Sequence, residues 1–193
     1  MLNRFRESFK RFVRPVAKSL IKMGVSPNKA TLIGLFIALA TPFLTYYYKY
    51  SGLLIGLILS ALFDAVDGEI ARISGRTSLL GAFLDSFFDR ISDVLYLYSL
   101  YFIGVSLDII LILTVLSILI SYARARGEGL GVRVEGVGLM ERGERIIYLV
   151  ILVFLSAFYE NILIPGLYVL MILLLYTLIE RVYNISLILS KKK

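Results

Sequence analysis

Two uncharged apolar runs, Ala30 to Tyr48 and Asn161 to Ile179, flank four further apolar stretches that are each too short to cross a bilayer. A spanning helix needs about 20 predominantly apolar residues, and Tyr50 to Phe63, Val94 to Leu107, Ile109 to Ala123 and Ile146 to Tyr159 reach only about two thirds of that. They must borrow turns from charged neighbours. The second helix is then predicted to run through Asp64 and Asp67 to near Arg72, the third to start near Leu79, the fourth to pass Arg124 and the fifth to begin near Arg142. These charged extensions all fall at one end of an all-α integral membrane bundle of six transmembrane helices.

Composition agrees. With 193 residues, 59% of them hydrophobic, the chain is too apolar for a soluble domain and too short for several domains. It has no Cys and no His, so disulfides, thiolate sites and imidazole chemistry are excluded. Any metal must be held by oxygen. The net charge of +7 fits lysines and arginines set against an anionic leaflet and gives little support to nucleic acid as a partner. Basic residues gather in the N-terminal segment, between Arg72 and Arg76, between Arg124 and Arg145 and in the terminal Lys run, whereas the alternate connections carry little beyond Lys49, Asp108 and Glu160. Both termini and the charged end are therefore expected on the cytoplasmic side of the cell membrane. Residues 1–29 read as an amphipathic juxtamembrane surface helix and turn, with Phe5, Phe9, Phe12 and Val16 spaced three to four apart and Ser26 to Asn28 starting the next helix. Residues 30–190 form the six-helix domain, in which Gly52 and Gly56 mark a close helix contact.

The charges have a pattern. Asp64 and Asp67 are three apart and Asp85 and Asp89 four apart, so each pair projects from one face of its helix. A short turn joins the two helices, which makes them antiparallel neighbours and lets four carboxylates converge. Such a cluster repels itself strongly at low dielectric and calls for cations, and oxygen donors favour hard ions such as magnesium or manganese. Gly68, Ala71, Gly81 and Ala82 keep bulk away from the carboxylates.

The segment Asp64 to Asp89 resembles the CDP-alcohol phosphotransferase signature, D-x-x-D-G-x-x-A-R, eight residues, then G-x-x-x-D-x-x-x-D, with every fixed position present. The resemblance implies transfer of a phosphatidyl-type group from a CDP-linked lipid to an alcohol, with CMP released. It implies two Mg2+ ions, with Mn2+ as a substitute, on Asp64, Asp67, Asp85 and Asp89, and a second role for Asp89 as the base that takes the hydroxyl proton. Asp64, Gly68, Ala71, Arg72, Ser78 and Gly81 would contact the nucleotide, and Pro27, Asn28 and Thr31 would close over it. The family also implies a homodimer.

The acceptor must be read elsewhere. SYARARGEGLG, Ser121 to Gly131, and MERGERII, Met140 to Ile147, are the other charge-dense stretches at membrane depth. Arg124, Arg126, Arg142 and Arg145 would face the cavity, with Glu128, Glu141 and Glu144 interleaved as for oriented, paired guanidiniums. A phosphorylated alcohol requires such a cluster. Arginines at helix ends also anchor to head groups, and that alternative stays open at this point. Both stretches resemble the inositol phosphate branch of the family, with S-Y-x-K/R-A-R-x-E-G and E-R-x-E-R. Gly127 and Gly143 stand where that branch often has Ala, and Arg124 stands for the commoner Lys. The branch implies inositol 1-phosphate as acceptor. The donor would be CDP-diacylglycerol or, from a composition like that of archaeal proteins, CDP-archaeol. Glycerol 3-phosphate is the rival acceptor. A cation or proton transporter is the rival class, but it calls for carboxylates spread through the membrane depth, and these gather at one end.

Overall fold

The computed structural model describes residues 13–75, 77–132 and 136–191. Phe5, Phe9, Phe12, Arg76 and the last two lysines lie outside them. Every element among the described residues is helical.

Helix α1, residues 13–22, ends where Gly24 takes φ 76° and Val25 N–H reaches back to Leu20 O at 3.0 Å. Its Val13 and Ala17 are buried against Ala30, Val66 and Ile70, so it lies across both ends of the next element. That element, α2 (Pro27–Ser74), starts with a Ser26 cap on Lys29 N–H and Pro in its first turn. It is two arms that fold back on each other at Lys49, which takes φ 51° and ψ −128°. The strained turn is tied by Lys49 Nζ donating to Phe102 O at 3.2 Å.

The glycines expected at a close contact explain how tightly the arms meet. A Cβ on Gly52 would lie 2.1 Å from Leu44 O, and one on Gly56 2.2 Å from Thr41 Oγ1. Farther along, Ser60 Oγ donates to Gly34 O at 2.9 Å. The second arm ends at Gly75, φ 64°, and a short turn leads to α3 (Leu79–Ser99), whose Ser78 cap accepts from Gly81 N–H at 3.0 Å. The predicted boundaries near Arg72 and Leu79 are therefore close to those observed.

Helices α4 (Leu107–Gly129), α5 (Arg142–Ser156) and α6 (Leu163–Ser190) complete the bundle, with single 3-10 turns before α4 and α6. Gly166 lets α6 approach Leu152 of α5, and Tyr148 Oη donates to Gly166 O at 2.8 Å. Leu53, Leu57, Tyr96, Leu100, Leu113, Val153, Leu167 and Leu170 fill the common core. The outer faces are apolar as well: Phe36, Leu111 and Ile172 are exposed. Leu107–Gly129 and Leu163–Ser190 are long and apolar enough to cross a membrane, and only 28% of the most apolar stretch of each is buried in the protein. Lipid is the solvent that suits such a surface.

Candidate active site

The second arm of α2 presents Asp64 and Asp67, and antiparallel α3 presents Asp85 opposite them. One carboxylate oxygen of each lies within 4.8 Å of the others. Asp67 is buried, and its Oδ2 has no hydrogen-bond partner among the described residues. A buried carboxylate oxygen left without a donor is costly unless a cation meets it. Three hard oxygen donors with one such orphan fit a divalent metal ion.

Asp89, one turn beyond Asp85, lines a small pocket with Asp64 and Asp67 and also meets α5. Its Oδ1 accepts from Arg142 Nη2 at 2.9 Å, while Arg142 Nη1 donates to Asp64 Oδ2 at 2.8 Å. Arg142 therefore links both carboxylate pairs.

Two cavities flank the aspartates. The first, about 140 Å³, is lined by Pro27, Asn28 and Thr31 at the start of α2, by Asp67, Gly68 and Ala71 at its end, and by Ser78, Gly81 and Asp85. Apart from Asp67 and Asp85, which the family resemblance assigns to metal, these are residues it assigns to the nucleotide. Gly81 lets the two helix starts close up, since a Cβ there would sit 3.2 Å from Asn28 Oδ1 and 3.0 Å from Ser78 Oγ. Arg72 stands beside this cleft, exposed, with Nε donating to Gly68 O at 3.0 Å and lying 3.5 Å from Glu69.

The second cavity, about 270 Å³, lies on the other side of Asp85 and Asp89 and is lined by Arg124, Arg142, Arg145 and Arg181. Asp85 belongs to both linings. A group held in one cavity thus meets a group held in the other at the carboxylate cluster.

The arginines divide. Arg124 lines the second cavity and pairs with Glu128 at 2.8 Å. Arg126 is exposed and lies outside that lining. Two residues along a helix rotate the side chain by about 200°, so Arg124 and Arg126 cannot face one cavity together. Arg145, nearly enclosed, donates from Nη2 to Asp93 Oδ2 at 2.7 Å.

Two charged residues of this end escaped the sequence reading. Arg181 of α6 follows the apolar run that ends at Ile179, is buried, and donates to Val137 O at 2.8 Å and Ile120 O at 3.1 Å. An arginine just after a membrane-length apolar run was the signal available in the sequence. Asp93 follows Asp89 at the spacing that separates Asp85 from Asp89.

A cleft between two helix starts and a guanidinium-lined chamber meeting over acidic oxygen donors, in a bundle with a lipid-suited surface, are the features of a membrane-embedded group transferase. The family follows from comparison with known proteins. The family model for CDP-alcohol phosphatidyltransferase matches residues 24–179, and the chain belongs to that family. The archaetidylinositol phosphate synthase of Pyrococcus horikoshii is 36% identical over 187 residues, which cover 95% of this chain and 96% of that protein. Among solved structures, the Mycobacterium tuberculosis phosphatidylinositol phosphate synthase with CDP-DAG bound is similar at TM-score 0.81 and 29% identity, covering 91% of this chain and 94% of that one. The same enzyme in complex with manganese and citrate gives TM-score 0.82 and 29% identity, covering 90% and 88%. The protein is thus a membrane transferase of phospholipid synthesis with a site suited to a divalent metal.

Proposed function

We propose that the protein transfers a phosphatidyl-type group, archaetidyl in kind, from a CDP-linked lipid to myo-inositol 1-phosphate and releases CMP. The observation that carries this reading is the pair of cavities meeting at Asp85, one lined by the signature's nucleotide residues and the other by arginines. The relatives named for inositol phosphate synthesis support the acceptor.

In this reading Gly68, Ala71, Ser78 and Gly81 leave room for the cytidine nucleotide, Pro27, Asn28 and Thr31 close over it, and Arg72 pairs with its phosphates. Asp64, Asp67, Asp85 and Asp89 would hold two Mg2+ ions, with Mn2+ as a substitute. When bound, these ions neutralise the diphosphate and stabilise the departing CMP. Arg124, Arg142 and Arg145 bind and orient the acceptor phosphate. Asp89 takes the proton from the attacking hydroxyl as its oxygen bonds to the lipid-side phosphorus. The bond from that phosphorus to the CMP oxygen breaks, and CMP leaves with the electron pair. Arg126, on another side of α4, fits anchoring to lipid head groups.

The six apolar helical segments that follow α1 are proposed to span the membrane, with both termini and the aspartates cytoplasmic. α1 is proposed as an amphipathic surface helix. The family resemblance supports a homodimer. The test is CMP release by the purified protein in detergent, with magnesium and CDP-archaeol or CDP-diacylglycerol, comparing inositol 1-phosphate, inositol, glycerol 3-phosphate and serine. Release with inositol 1-phosphate alone, lost on adding EDTA, is the expected result. Release with glycerol 3-phosphate instead overturns the acceptor assignment.

A further inference from the structure

Asp93 lies outside the signature and outside the lining of the arginine chamber, yet it touches two of the arginines in that lining. It projects from the same face of α3 as Asp85 and Asp89, one turn deeper. Its Oδ2 accepts from Arg145 Nη2 at 2.7 Å, and its Oδ1 from Arg142 Nε at 3.4 Å. The contact is dry, with side-chain exposure of 11% for Asp93 and 6% for Arg145.

The need for a carboxylate there is physical. Arg142 and Arg145 occupy the first turn of α5, where the helix dipole is positive and disfavours cations. Arg145 also donates to Met140 O at 3.4 Å, a neutral acceptor, so without Asp93 a buried guanidinium loses its counter-charge. Arg142 would keep Asp64 and Asp89 but lose the contact at Nε that fixes the plane of its fork.

We propose that Asp93 is a positioning residue for acceptor recognition: gripping Arg145 and Arg142 from behind the chamber, it sets the direction in which their guanidiniums meet the acceptor phosphate. The proposal rests on the reading of that chamber as the acceptor site. It assigns no contact between Asp93 and substrate.

The test uses the full chain purified in detergent, with initial rates varied in each substrate and inorganic phosphate as a competitive probe of the chamber. Asp93→Asn is expected to raise the acceptor KM and the phosphate inhibition constant together, by about 10- to 100-fold, the worth of a charge-assisted hydrogen bond. The CDP-lipid KM stays within about twofold. Asp93→Glu keeps the charge that a buried arginine needs for folding but moves the carboxylate by one methylene, and it raises the same two constants by a smaller factor. That variant carries the test if Asp93→Asn does not fold. Unchanged acceptor constants in the folded variants overturn the proposal, as does an equal rise in both KM values with a lowered Tm, the signature of a purely structural pair. If wild-type protein ignores inositol 1-phosphate but uses another phosphorylated alcohol, the function reading fails while the Asp93 test proceeds with that alcohol.

Discussion

Gly68 offers a way to separate stability from function. It lies inside the second arm of α2 and lines the cleft assigned to the nucleotide. A Cβ built there meets no atom closer than Arg72 Nη2, at 3.7 Å, an ordinary contact. Gly68→Ala therefore strains nothing in the protein itself, and by helix propensity it stabilises by up to about 1 kcal/mol. The methyl takes about 30 Å³, roughly the share of one water in the liquid. The cleft measures about 140 Å³. A ligand that fills the cleft closely meets that methyl as overpacking, at a cost of about 1–3 kcal/mol. The donor affinity should fall about 5- to 100-fold, at tenfold per 1.4 kcal/mol. The assay is CMP release against CDP-lipid concentration, paired with a thermal melt in the same detergent. The expected result is an equal or higher Tm, a raised donor KM and an acceptor KM close to wild type. A wild-type donor KM in Gly68→Ala would refute the placement of the nucleotide in this cleft.

Further outcomes follow from the same geometry. Asp89→Asn should lower turnover about 10²- to 10⁴-fold, the range of a general base, while CDP-lipid binding measured by titration stays near wild type; wild-type turnover would remove Asp89 as the base. Arg142→Ala should raise the acceptor KM more than the donor KM, and an equal rise would make Arg142 structural. Gly56→Ala drives a Cβ to 2.2 Å from Thr41 Oγ1, a fully buried side chain. It should cost about 2 kcal/mol or more. For a chain of this size that lowers Tm by about 4–8 °C in a melting experiment; an unchanged Tm would mean that the two arms of α2 are not held by that contact.

Much of the charged end was legible before the fold was known, for a physical reason. Helix period and caps are local, so Asp64 with Asp67 and Asp85 with Asp89 had to share faces, and Ser78 before Leu79 marked a helix start. The shortfall in apolar length of four stretches required the helices to extend into charged sequence, and α5 does begin at Arg142. Even the separation of Arg124 from Arg126 was present in the spacing.

What spacing could not supply is which charge meets which. Arg142 from another helix reaches both Asp64 and Asp89 beside the cluster of Asp64, Asp67 and Asp85, and Asp93 stands behind Arg142 and Arg145. Those pairings depend on the depth and rotation of α3, α5 and α6 relative to one another. Contacts away from the aspartates set them: the glycine-lined meeting of the α2 arms and Gly166 against Leu152, with Arg181 at the charged end reaching the backbone at Ile120 and Val137. Local periodicity and spacing set the helical segments and the chemistry of their ends, and they carry the family signature. Tertiary packing decided the division into two cavities that meet at Asp85, because a helix rotated by one residue carries its charges about 100° away.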